Sequence, residues 1–331
     1  MNMQMRQFLT GKRKYYIDIL KTIALLSVIF CHLQLNEESG LNAWFMKSGN
    51  HIFDAIWYIF GYIFANMSIP MFILLTGANR FRNINDEHIN YKKLIKEILK
   101  IVALIIIFQL PFYIYKHIKY DSTFTLIDYI INIYSSNVEP IYWYLPGFLI
   151  AFLLSFPILK IWTLKAEKKD YEYLFVVYVI VTLVVNNIAK YFNIVINVPL
   201  NIFSYIYLCP MFGNLICNVY KKEDLTIDKY IVLLICVILH FGTNERYEAM
   251  NMYLAMIVLM IFRHFLDVRL SADKVKNVRL YNIITFTAIN ALMFYMLHPY
   301  VLKIIFRLSN HIHIPAQSAI NYAFALILVI V

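Results

Sequence analysis

The sequence predicts an all-α polytopic membrane protein, a bundle of about ten transmembrane helices with both termini on the cytoplasmic side. Three observations predict it. Hydrophobic residues fill 61% of the 331 positions and mean hydropathy is +0.63, far above the ~45–50% apolar content of a soluble domain. Several apolar runs approach or exceed the ~20 residues that cross ~30 Å of hydrocarbon. Lysines and arginines collect in alternate loops, the positive-inside pattern. That pattern accounts for the formal charge of +10, and no nucleic-acid partner is needed. The alternating segments of a membrane barrel are absent. Heavy use of Ile, Asn, Lys and Tyr points to an AT-rich, bacterial genome.

The elements follow in order. Residues 1–14 form a basic cytoplasmic segment with Arg6, Lys12, Arg13 and Lys14, and residues 15–331 one membrane domain. The first helix, 15–35, reads as a retained span, since no small-residue cleavage site follows it. A second run, 51–76, contains Pro70, which predicts a kink. The most basic stretch comes next, with Arg80, Arg82, Lys92, Lys93, Lys96 and Lys100, and is placed in the cytoplasm. Spans then follow at 101–115, 141–162, 173–189, 200–219, 230–241, 249–265, 281–306 and 316–331, separated by outer acidic and inner basic loops. Cys31, Cys209, Cys217 and Cys236 lie inside apolar runs without C-x-x-C spacing and read as small core residues.

The stretch 15–33 is apolar enough to enter a bilayer, yet it carries Asp18, Lys21 and His32. Asp18 and Lys21 are one helical turn apart. Eleven positions at about 100° each return His32 to within roughly 20° of Lys21, about 16 Å further along the same face. Ionisable groups at membrane depth are unfavourable by ~2.5–3.5 kcal/mol for Lys or Asp at a helix centre. They persist where they face a wet or protein-lined interior. Taken singly, each could snorkel or hydrogen-bond a carbonyl; three on one stripe point to function.

These residues carry a resemblance. Tyr16-Ile17-Asp18-Ile19-Leu20-Lys21, continued to His32, resembles the opening helix of the acyltransferase-3 family of integral membrane O-acyltransferases. Pro70-Met71-Phe72-Ile73-Leu74-Leu75-Thr76-Gly77 resembles the family's Pro-x-Phe-(x)3-Ser-Gly ending of the second helix, with Thr76 keeping the hydroxyl. Trp143-Tyr144-Leu145 is similar to its Trp-x-Leu motif, and Pro210-Met211-Phe212-Gly213 to a shortened Pro-x-Phe-x-x-Gly element. Tyr295-Met296-Leu297-His298-Pro299 resembles its Tyr-Leu-x-His-Pro signature. The motifs run in order over nearly the whole chain. Lys21 stands where many members carry Arg, and it offers a point charge instead of a bidentate fork.

The resemblance implies transfer of an acetyl group from cytoplasmic acetyl-CoA to a hydroxyl of a cell-surface glycan or its lipid-linked precursor. Acetyl-CoA would be a donor substrate, with no permanently bound cofactor, and the protein a multi-pass cell-membrane enzyme among membrane lipids. A hydroxyl needs a base near pH 7, and histidine, with a reference pKa of ~6.5, suits that task. His32 is accordingly the candidate base, or else a transient acyl carrier. Lys21 would meet donor phosphate or thioester oxygen, with Asp18 orienting it or another base, and Arg80 and Arg82 would add charge-assisted bonds to phosphate. Trp143 would stack on a sugar ring or on adenine. An acceptor would meet His298, beside an interruption expected at Pro299, and Glu245 in the outer turn with His240 and Arg246. His311 and His313 do not make a metal site, and no phosphate loop, dinucleotide fingerprint or nucleophile elbow is present. The rival reading is a polysaccharide exporter or flippase without acyl transfer.

Overall fold

The computed structural model describes residues 14–34, 67–82, 88–120, 125–134, 144–185, 188, 191–192, 204–241, 247–266 and 278–311. Eleven α-helices make up this part: α1 (Tyr15–Gln34), α2 (Ser68–Arg80), α3 (Tyr91–Tyr120), α4 (Leu126–Tyr134), α5 (Ala151–Lys165), α6 (Lys168–Val179), α7 (Cys209–Asn214), α8 (Ile227–Phe241), α9 (Tyr247–Leu266), α10 (Val278–Ile289) and α11 (Ala291–His311). Wider π-turns extend several of them: Leu145–Ile150 leads into α5, Ile180–Val185 continues α6, and Ser204–Leu208 and Leu215–Val219 flank α7. Pro210 explains one of these. It has no N–H to return to the preceding turn, and its ring crowds that turn's carbonyl, so the backbone widens ahead of it.

Local chemistry sets the ends. The Asn90 side chain accepts the Lys93 N–H at 3.0 Å at the start of α3, and Thr125 Oγ1 accepts the Asp128 N–H at 3.1 Å before α4. Asp170 reaches back to the Glu167 N–H at 2.7 Å ahead of α6. Pro70 falls in the first turn of α2, where no backbone donor is required, so the described part of that run holds no kink. The 281–306 run departs from expectation more sharply. It is two helices, α10 and α11, bent by 83° at Asn290. Asn290 donates both its backbone N–H, at 3.1 Å, and its side-chain amide, at 2.9 Å, to Phe286 O, so that carbonyl takes two bonds at the last turn before the break. Pro299 sits inside α11 without interrupting it.

α2 is the hub of the bundle, packed on α1, α7 and α9, while α10 and α11 lean on α1. The α2–α7 crossing is a backbone contact. A Cβ built on Gly77 would land inside the Pro210 carbonyl, and one on Gly213 inside the Leu74 carbonyl. Small residues permit this approach between membrane helices, where packing replaces the hydrophobic effect as the driving force. Asn218 locks the crossing by donating to Ala78 O at 2.8 Å. The outward faces are apolar, with Ile118 76% and Ile158 73% exposed, as expected of a surface solvated by lipid. Among the described residues α3 alone is long and apolar enough to cross a membrane, and the bent α10–α11 pair adds a second candidate. Most of the second run and the last run, 316–331, lie outside the described residues. Cys209, Cys217 and Cys236 are buried thiols outside any disulfide among the described residues.

Candidate active site

The elements bring His32 and His298, 266 positions apart, into one hydrogen bond: His32 Nδ1 and His298 Nε2 are 2.8 Å apart. The two rings are nearly parallel, 13° between planes, with centroids 4.9 Å apart. The tautomers follow from one further contact. His298 Nδ1 lies 2.5 Å from the Tyr295 carbonyl. A carbonyl only accepts, so His298 carries its proton on Nδ1 and presents a lone pair at Nε2. His32 must then donate from Nδ1, which leaves the lone pair of the neutral His32 ring on Nε2. His298 is 0% exposed; His32 is partly exposed. The outer ring of the pair is thus the accessible one, with its basic nitrogen fixed by the inner ring.

Two aromatic rings and a hydroxyl adjoin the pair. The Tyr295 ring lies 5.4 Å from that of His298 and 5.9 Å from that of Tyr144. Thr76 Oγ1 donates to Phe72 O at 2.7 Å, and its hydroxyl is also paired with that of Tyr144. Four of the five motif stretches therefore meet around one point: those of His32, Thr76, Tyr144 and Tyr295–His298. Tyr144, Tyr295 and Thr76 carried no role in the sequence reading. Their only signal there was membership of the motifs.

The other candidates are placed elsewhere or not described. Asp18 is buried at 2% exposure near the basic end of α1. One turn on, Thr22 Oγ1 lies 3.0 Å from Asp18 O and 3.3 Å from Ile284 O, tying α1 to α10. Lys21 is partly buried on the same helix, eleven positions from His32. Arg80, at the end of α2, is ion-paired with Glu97 of α3, and its guanidinium carbon is 5.7 Å from the Phe156 ring centroid. Arg82 is partly buried two residues past α2. The basic groups and the histidines thus occupy different levels of the bundle. Trp143 and Glu245 lie outside the described residues. A cavity of 190 Å³ between α6, α8 and α9, with Phe175, Leu233, Met256 and Met260 in its wall, is lined by none of the candidate residues.

Comparison with known families decides the lineage. The sequence model of the acyltransferase-3 family, described as an acyltransferase domain, matches residues 14–331. The chain belongs to the acyltransferase-3 family. It is therefore a membrane acyltransferase, and its described residues are helical without a strand, as its composition predicts. Comparison with curated proteins and with solved structures gives no match. Within this acyltransferase domain the histidine pair joins two motif stretches, one from each end of the chain. Gly77 and Gly213, from two further motif stretches, form the backbone crossing that supports it.

Proposed function

We propose that this acyltransferase is an O-acetyltransferase of a bacterial cell membrane. It moves acetyl from cytoplasmic acetyl-CoA to a hydroxyl of a cell-surface glycan or its lipid-linked precursor. The observation that supports this most directly is the His32–His298 pair, which leaves a lone pair on Nε2 of the partly exposed His32.

His32 Nε2 takes the acceptor's hydroxyl proton as that oxygen bonds to the thioester carbonyl carbon. The tetrahedral adduct then collapses, the C–S bond breaks, and the coenzyme sulfur leaves with the proton returned by His32. His298 has both ring nitrogens engaged, one by Tyr295 O and one by His32. It is better suited to hold the His32 tautomer than to touch the acceptor directly, the place the sequence reading gave it. Lys21, Arg80 and Arg82 stand near the basic end, where the donor's phosphates would enter. For Arg80 to hold a phosphate it must exchange its bond to Glu97. Asp18 orients the donor end, and Trp143 and Glu245 are reserved for the acceptor.

The test is His32→Ala in cells that make the full chain. Membrane insertion and yield persist, while alkali-labile acetyl disappears from the surface glycan by mass spectrometry. Full acetyl content in that variant removes His32 from the chemistry. Purified wild-type protein that releases no acetyl from labelled acetyl-CoA favours the exporter reading.

A further inference from the structure

Gln109 lies in the middle of α3, between Phe108 and Leu110, and is 0% exposed. Neither its amide nitrogen nor its amide oxygen has a hydrogen-bond partner among the described residues. A primary amide buried in this way is rare, because the hydrocarbon interior offers no water to take the place of a partner.

Its position is informative. The Tyr300 hydroxyl donates to the carbonyl of Phe108, the neighbour of Gln109. Phe112, about one turn on, holds its ring 4.3 Å from that of Tyr300. Tyr300 is two residues past His298, so Gln109 lies in the layer of the histidine pair. Ile105, Gln109 and Phe112 share the buried face of α3. The neighbours of α3 include α11, which carries Tyr295 and His298, and the π-turn that follows Tyr144.

We propose that Gln109 is an acceptor-binding residue, its amide pairing with sugar hydroxyls next to the one that is acetylated. This rests on the O-acetyltransferase reading above. The amide presents donor and acceptor atoms side by side and bears no charge. Two vicinal hydroxyls, each able to give and to take a hydrogen bond, complement it. A phosphate or carboxylate would satisfy only its N–H half. Once one hydroxyl of a sugar ring is held at His32 Nε2, its neighbours lie in the same layer, at the level of this amide.

The experiment uses membranes from cells expressing the full chain, with their own glycan as acceptor and [14C]acetyl-CoA as donor. Gln109→Leu should incorporate label into alkali-labile glycan ester about tenfold more slowly, the loss of roughly one neutral hydrogen bond. Its KM for acetyl-CoA should stay within about twofold of wild type, and its thermal midpoint should hold or rise, since a buried unpaired amide has gone. Gln109→Met, closer in shape, should behave alike. Unchanged incorporation in both variants makes the amide a passive part of the core and overturns the proposal. A raised KM for acetyl-CoA instead hands the amide to the donor, and also overturns it. Wild-type membranes that incorporate no label defeat the acetyltransferase reading itself, before any variant is compared.

Discussion

The α2–α7 crossing and the histidine pair are both built from motif residues, yet they work by opposite means. At the crossing, Gly77 and Gly213 matter for what they lack, because any side chain would occupy a neighbouring carbonyl. At the pair, His32 and His298 matter for what they carry, a proton whose location is dictated by Tyr295 O. A signature glycine here reports the distance between two helices. A signature histidine reports a tautomer. The two are coupled through Thr76, which immediately precedes Gly77 and bonds the Tyr144 hydroxyl. The crossing therefore sets the height of one wall of the site.

The largest expected effect breaks the first half of this comparison. Gly213→Val forces a branched side chain into the Leu74 backbone, which cannot rotate away. Overpacking by flexible neighbours costs typically ~1–3 kcal/mol, and a rigid carbonyl should exceed that range. The variant should be lost as monodisperse protein in detergent gel filtration. A normal yield with a normal melting curve would show that the helices can part freely.

His298→Ala addresses the second half. Loss of a general base removes about 10²–10⁴-fold in rate, and loss of its orienting partner should remove less. The expected signature is a fall in kcat, with KM for donor and acceptor little changed, in a protein of normal yield. Activity equal to wild type would make the pair a packing contact.

Thr76→Val tests the link between the regions. It leaves the buried Tyr144 hydroxyl without this partner, a loss of roughly 1–3 kcal/mol, whereas Thr76→Ser retains the hydroxyl and should stay near wild type. Thermal melts of the two variants read the difference. Equal destabilisation by both would mean that the methyl group, and not the hydroxyl, is what the site uses.

The smallest effect is a control far from both regions. Lys168 donates to Asp224 at 2.5 Å in the loop between α7 and α8. That hydrogen bond, with one from the Lys221 N–H, holds the Asp224 carboxyl below its ordinary value of 3.8. The stabilisation is therefore fully present above that ordinary value and fades as pH falls through the lowered one. Asp224→Asn should lower the melting temperature slightly at neutral pH, with no difference from wild type in strong acid. A difference that persists in acid would assign the loss to packing.

Much of the fold was legible in the chain itself. Runs of apolar residues fix where the helices lie. The basic 92–100 stretch belongs to α3 and extends that helix ten residues beyond the predicted start at 101. The short amphipathic α4 was unread because its nine residues fall within a polar loop. The break at Asn290 was missed because apolar residues flank it on both sides, and hydropathy does not register a turn. In the site, His32 and His298 stood out as polar residues inside apolar motifs. Gln109 was passed over because a lone amide within a hydrophobic helix matches no motif.

The sequence by itself determined that the chain is helical and apolar, which residues could hold or move a proton, and how Asp18, Lys21 and His32 share a stripe. These are local properties, set by the 3.6-residue turn and by side-chain chemistry. Only the tertiary structure decided that His32 meets His298, that Arg80 pairs with Glu97, and that two glycines are there to admit a carbonyl. Such contacts depend on which helices become neighbours. That choice is made by packing between segments up to 266 positions apart, and no periodicity within a single helix encodes it.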